Sequence, residues 1–368
     1  MIKVFHIITS LDLGGAERVA INIAKSKNKE IEYHIVEVIR GRSTFTKKMM
    51  AELDAEGIRY HRSPFAVPFR FHYLFEKLIA CLFPLQFLFL WLRYRPEVLH
   101  THTEIPNMAI WLSLKLMPWI VSKIVRTIHS TKQWFGMHIV GAYVEQFLKR
   151  KATNVSISKN VEEAYYKAYN AHTSIIYNGI SATPQIKYDK LKNDKINICF
   201  AGRFEEEKGI STLCDIIKAL KENNLYYFHI MGSGRLYHLF DNIKGQNNVS
   251  INPPLHGISA YLSSFDYLIM PSIQEGLSIL ALEASFNGLP VMINHCAGLY
   301  DTLPDNWPLS VRDNNMTEWL HLFNDVLPSA DAASLARQAR SFVEQRFTIA
   351  IMQEEYMKLY TQITAIHA

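Results

Sequence analysis

Cysteine is scarce and scattered: Cys81, Cys199, Cys214 and Cys296 are the only four in 368 residues, and no two form a Cys-x-x-Cys pair. That excludes a disulfide-stapled scaffold and a thiolate zinc knuckle, and it predicts reduced thiols in a cytosolic protein. Long uncharged apolar runs are also missing. The nearest, residues 78–92, is interrupted by Pro84 and Gln86, so the sequence predicts no membrane-crossing helix. The opening MIKVFHIITS turns polar too early for a signal peptide and reads as a first strand. No basic helix and no aromatic RNA-binding motif occurs, which argues against a nucleic-acid partner.

What is present describes a globular chain, with 49% hydrophobic and 20% charged residues. Its length exceeds what one hydrophobic core usually serves, so two domains are expected. The charge is divided unequally. Residues 1–180 carry 24 basic against 14 acidic side chains, a balance of +10, while residues 181–368 carry 15 against 20, a balance of −5. A basic half predicts an anionic partner, and an anionic membrane surface is the better candidate. The same half holds an aromatic stretch interleaved with cations, from Arg62 through Phe65, Phe69, Arg70, Phe71, Tyr73 and Phe75 to Lys77. Residues 82–92 read as a helix packed on a sheet, whereas 65–75 reads as an interfacial loop or a lipid-lined groove.

The chain is organised around residues 265–293, FDYLIMPSIQEGLSILALEASFNGLPVMI. An apolar run ending at Met270 reads as a buried strand, stopped by Pro271 and Ser272. Helical periodicity resumes from Ser278 to Phe286, Asn287-Gly288 ends it, and a second strand follows. This strand–loop–helix–strand unit repeats in parallel α/β sheets, where ligands bind off the carboxyl ends of the strands. Glu275 lies in the loop and Glu283 in the helix. A helix N-terminus suits a phosphate, and carboxylates accept hydrogen bonds from sugar hydroxyls. Taken alone, the two carboxylates read more readily as solvated charges than as a site, since charges on helices usually face water.

Similar reasoning covers three other places. Gly14-Gly15 follows the first strand, where glycines allow close backbone approach to a ligand or simply make a tight turn. Val98–His102 and Lys123–His129 are strands that each end in a histidine, His102 and His129. Zinc is rejected for this pair because no third ligand keeps metal spacing with them. Ala201–Gly209, AGRFEEEKG, places Arg203 and Lys208 on a strand-to-helix loop, where they could hold a diphosphate or pair with the three adjacent glutamates.

Together, PSxxEGxxxxxxEAxxxGxPV, GRxxxEKG, GGAER and RTIHS resemble the signature of retaining glycosyltransferases of family 4. The resemblance covers essentially the full chain, with its most specific motifs in the second half. It implies an α/β GT-B fold, two doubly wound Rossmann-like domains facing across a cleft. Residues 1–180 would bind the acceptor, 195–344 would bind the nucleotide sugar, and a C-terminal helix at about 345–368 would pack back on the first domain. It implies sugar transfer from a UDP- or GDP-linked donor to a glycan, here expected to be lipid-linked, in bacterial surface polysaccharide synthesis. By the same resemblance, Arg203, Lys208 and the amides of Leu277 and Ser278 would bind the diphosphate. Glu283 would bind the ribose, and Glu275 and His129 would act at the transferred sugar. Gly15 would face the donor or acceptor, and His102 another cleft position. No cofactor is implied. No metal is expected either, since the chain has no Asp-x-Asp triplet and Arg203 and Lys208 can supply the positive charge. Localisation is expected to be cytoplasmic and peripheral at the inner face of the membrane.

Three features depart from the family pattern and leave the nucleotide open: Cys296-Ala297-Gly298, Tyr300-Asp301 and Pro253-Pro254. Two rival readings remain: a sugar-nucleotide epimerase of the same fold, and a non-catalytic scaffold.

Overall fold

A computed structural model describes all residues except 13, 67–71, 135 and 366–368. The chain divides into two compact units, Met1–Gly179 with Ile349–Ala368, and Ile180–Thr348.

In the first unit, strands alternate with helices along the chain: β1 (Ile2–Ile8), α1 (Gly15–Ala24), β2 (Ile31–Glu37), α2 (Thr44–Ala55), β3 (Arg59–His61), α3 (His72–Tyr94), β4 (Val98–Thr101), α4 (Glu104–Leu116), β5 (Lys123–Ile128), α5 (His138–Lys151), β6 (Ala152–Ser156), α6 (Lys159–Tyr169) and β7 (Ser174–Ile175). The sheet runs β3-β2-β1-β4-β5-β6-β7 and its pairings are parallel. Its order reverses between β1 and β4, the kind of switch point beside which such sheets bind ligands.

The second unit contains β8 (Ile196–Arg203), α7 (Ile210–Ala219), β9 (Tyr226–Ser233), β10 (Val249–Asn252), β11 (Tyr267–Met270), α8 (Ile279–Phe286), β12 (Val291–Asn294), β13 (Ser310–Val311), α9 (Met316–His321) and α10 (Ala332–Glu344). Its parallel sheet is ordered β10-β9-β8-β11-β12-β13, with the switch between β8 and β11. The polar run 181–194 packs on this unit: Ile186 donates to the Ala260 carbonyl, and Tyr188 enters the core. The final helix, α11 (Ile349–Ala365), belongs to the first unit and buries Met352, Tyr356 and Tyr360 there.

Two expectations are corrected. Pro84 does not interrupt the apolar run, because α3 passes through it as one helix of 23 residues. Proline removes one helical donor, but Phe83 and Phe87 on either side are fully buried in the core and hold the helix in place. By length and composition alone, its residues Glu76–Tyr94 suffice to cross a membrane, with 39% of that stretch buried inside the protein. The second correction concerns Arg62, which is not a free interfacial cation. It donates to Glu37 at 2.6 Å and to the Gly41 carbonyl at 2.6 Å. Lys77 likewise donates to the Gly136 carbonyl. Phe69, Arg70 and Phe71 of that stretch lie outside the described residues, and Phe65 packs on the core.

One face of the first sheet carries an unusual polar cluster under α11. Side chains alternate along a strand, so His6 on β1 shares a face with Val4 and Ile8, and its register partner on β4 is His100. His100 bonds the Tyr360 hydroxyl at 2.6 Å and Thr127 at 2.7 Å, and Thr127 bonds the Tyr356 hydroxyl at 2.7 Å. Burial holds these histidines neutral, pushing His6 down to about 3 and His129 to about 4, with His100 and His102 also well below their ordinary range.

The sign of the pH dependence follows. Above the unfolded value of 6.5 both states are neutral and these groups add no slope. Below it the unfolded chain takes up protons that the folded chain refuses. Stability is therefore lost as pH falls from 6.5 toward the folded values. Each histidine contributes up to about 1.4 kcal/mol per pH unit. Urea unfolding midpoints should fall between pH 7.5 and pH 5.5, and His6→Asn should remove one histidine's share of that slope. Midpoints independent of pH over this window would contradict the neutral cluster.

Candidate active site

In the second unit, three loops leave the carboxyl ends of β8, β11 and β12 and are held together by backbone contacts. The Ile273 amide donates to the Glu207 carbonyl at 2.8 Å, joining the β8 and β11 loops. Glu275 and Ser278 amides donate to Ala297 and Gly298 carbonyls at 3.3 and 3.1 Å, joining the β11 and β12 loops. Two glycines permit this closeness. Gly209 (φ +67°) and Gly298 (φ +80°) adopt backbone conformations that L side chains rarely enter. A Cβ at Gly209 would stand 1.9 Å from the Pro271 carbonyl oxygen, and one at Gly298 2.3 Å from that of Glu275.

This convergence brings together residues far apart in sequence. Lys208 Nζ lies 2.6 Å from Glu275 Oε1, and the Ser272 hydroxyl donates to the same oxygen at 2.9 Å. Both members of the ion pair are largely shielded, with side-chain exposures of 20% and 10%. Cys296 is close enough that burial, aided by Glu275, pushes its thiol up to about 12. Arg203 points into solvent and pairs with Glu207 at 2.8 Å, the neighbouring-glutamate contact. At 72% side-chain exposure that pair holds Arg203 weakly and leaves it easy to redirect.

Helix α8 begins at the Ser278 N-cap, whose hydroxyl accepts from the Ala281 amide. Leu277 is buried beside it. The Ser278 amide, expected to be open to a phosphate, is already engaged by Gly298. Glu283 is not a solvated surface charge. It is partly buried, accepts from the Ser259 hydroxyl at 2.5 Å, and burial raises its carboxyl above the usual range.

In the first unit, Gly15 opens α1, and a Cβ there would meet nothing within 4 Å. His102 and His129 follow β4 and β5, with His102 Nδ1 3.4 Å from His129 Nε2. Sequence reasoning found this pair but missed His6, whose Nδ1 lies 2.9 Å from His102 Nε2. The rejection of zinc for want of a third ligand needs correcting in its premise, since ring nitrogens of His6, His100 and His102 all fall within 4.8 Å of one another. Both nitrogens of His100 and of His102 are nonetheless engaged in hydrogen bonds, which leaves His6 Nε2 as the one ring nitrogen of this trio without a partner among the described residues. His100 bonds hydroxyls through both nitrogens, and the 2.9 Å His6–His102 contact is a hydrogen bond. Alternation along β4 was the available signal for this cluster, because His100 and His102 are two apart.

Two further carboxylates were missed. Buried Glu37 accepts from Leu11, Gly41 and Ser63 amides as well as Arg62, tying the loops after β1, β2 and β3. Glu145 forms a buried two-bond pair with Arg126 and also accepts from Trp134 and Tyr165, fixing the segment after β5.

Two parallel Rossmann-like sheets of seven and six strands, with their switch points and this loop cluster, define an α/β architecture of the GT-B glycosyltransferase class. Residues 13–183 match the family described as glycosyltransferase family 4, and residues 195–343 match glycosyl transferases group 1. The chain belongs to these group 1, family 4 glycosyltransferases. Among curated relatives, the Staphylococcus aureus capsular polysaccharide biosynthesis glycosyltransferase CapH is 26% identical over 300 residues, 77% of this chain and 79% of that one. Among solved structures, a Rickettsia africae glycosyltransferase superposes with a TM-score of 0.77 at 19% identity, covering 99% of this chain and 98% of the other. The Anabaena HepE protein in complex with UDP and glucose gives 0.72 at 14% identity, covering 98% and 100%.

Proposed function

We propose that this glycosyltransferase moves a sugar from a UDP- or GDP-linked donor to a hydroxyl of a lipid-linked glycan, with the anomeric configuration retained, in bacterial surface polysaccharide synthesis. The observation that carries the donor half is the shielded Lys208–Glu275 pair at the carboxyl end of the second sheet, with Glu283 on the adjoining helix. As the glycosidic bond breaks, negative charge grows on the diphosphate. Lys208 and a redirected Arg203 stabilise it electrostatically. Glu275, held in place by Lys208 and Ser272, accepts from donor-sugar hydroxyls, and Glu283 accepts from the ribose. His129 contacts the transferred sugar. The departing phosphate oxygen assists the acceptor hydroxyl, so no separate base is needed on the far face.

UDP is favoured by the similarity to HepE, and surface polysaccharide by the similarity to CapH. The two cations take the place of a divalent ion. Glu283→Ala should weaken nucleoside diphosphate binding by roughly 1.5–3 kcal/mol, the worth of a hydrogen bond to a charged group. Glu275→Ala should reduce turnover far more than binding, and transfer should persist in excess EDTA. The assay incubates donor with and without lipid-linked glycan. Product only when acceptor is present supports transfer, conversion of donor alone supports the epimerase, and no turnover supports the scaffold.

We propose that membrane attachment runs through α3, whose exposed face is described, whereas residues 67–71 of the aromatic loop lie outside the described residues. Leu78, Leu82, Leu85, Phe89 and Leu92 are exposed at alternating spacings of four and three, forming one apolar stripe on the helix. Exposed Arg93 and Arg95 stand at its end, in the half of the chain with the basic balance, which favours an anionic lipid surface as the occupant. Wild-type protein should sediment with anionic but not neutral vesicles, and Leu85→Glu with Phe89→Glu should release it. Equal sedimentation of variant and wild type would remove α3 from the interface.

A further inference from the structure

The imidazoles of His6, His102 and His129 stand in a row from the buried face of the first sheet to the end of β5. His6 Nδ1 lies 2.9 Å from His102 Nε2, and His102 Nδ1 lies 3.4 Å from His129 Nε2. A neutral imidazole has one N–H and one lone pair, so two such contacts in series force all three rings to point their protons the same way. The direction is set at the inner end. His6 is fully buried, and its Nε2 has no hydrogen-bond partner among the described residues. With the protons pointing inward, that atom would be an orphaned buried N–H, a rarity in folded proteins. With the protons pointing outward, it is a bare acceptor, which is tolerated more often.

We propose that His6, acting through His102, fixes the tautomer of His129, placing its proton on Nδ1. That nitrogen has no hydrogen-bond partner among the described residues. It is thereby held as a donor, able to bond an acceptor-only oxygen as well as a hydroxyl. His6 and His102 are positioning residues, and their role in turnover rests on the reading that His129 contacts the transferred sugar. The surroundings favour this wiring. His100 is tied to Thr127 and Tyr360, Tyr33 packs against His6, and the nearest groups from α11 are the Tyr356 and Tyr360 hydroxyls, so no carboxylate in this contact set competes for the protons.

Long-range 1H–15N correlation spectra of the full chain, with 15N-labelled histidine, read the tautomer of each ring directly. At pH 7.5 His129 should appear as a single neutral form protonated at Nδ1. His6→Phe keeps a ring and removes both nitrogens, and should convert His129 to a mixture of tautomers. His6→Gln, whose amide reaches past the Nδ1 position, serves as a second loss variant should the first fail to fold. His6→Asn, which returns a donor near the Nδ1 position, should restore the single form. In the same series kcat should fall with the Nδ1–H fraction while KM for donor holds. A His129 protonated at Nε2 in the wild type, or a tautomer unchanged in a folded loss variant, overturns the proposal. Full transfer by His129→Ala would instead overturn the placement of His129 at the sugar, and would leave the tautomer result to stand on its own.

Discussion

Everything that positions this protein's candidate chemistry follows from both sheets being parallel. A parallel sheet sends all its βα loops out at one end, and where the strand order reverses, two neighbouring loops diverge and leave a crevice. In the second unit that reversal lies between β8 and β11, and Lys208 and Glu275 come from the loops on its two sides. The pair joins residues 67 positions apart. A shielded ion pair of this kind is weak evidence for added stability, because removing two charges from water offsets much of their attraction. Its effect is orientation: Glu275 is held by Lys208 on one side and by the Ser272 hydroxyl on the other.

Much of this was legible in the sequence because it is local. Ser278–Phe286, read as helical, is α8 with Ser278 as its N-cap, and that helix ends at Asn287 as the Asn-Gly pair indicates. The buried strands announced themselves as continuous apolar runs, as strands covered on both faces must. Pro84 misled because a local rule was overridden by tertiary packing: the propensity penalty was real, and the burial of Phe83 and Phe87 outweighed it.

The buried polar networks were not legible, since each depends on side chains that only the fold brings together. Nothing near Arg62 in sequence points to Glu37, 25 residues away, and nothing near Arg126 points to Glu145. A basic residue counted toward a membrane surface was already partnered inside the protein. Charge counting cannot separate these cases. His6 was missed for a related reason, because a lone histidine in an apolar strand gives no sign of its cross-strand partners.

The central claim is that the loops after β8, β11 and β12 together receive the donor's diphosphate. Amide hydrogen exchange with and without saturating UDP tests it most directly, because each loop is read separately. The account predicts slowed exchange across residues 203–209, 274–282 and 296–299, with the amino ends of the second sheet's strands unchanged. Protection confined to other regions, or no change at saturating UDP or GDP, would contradict it.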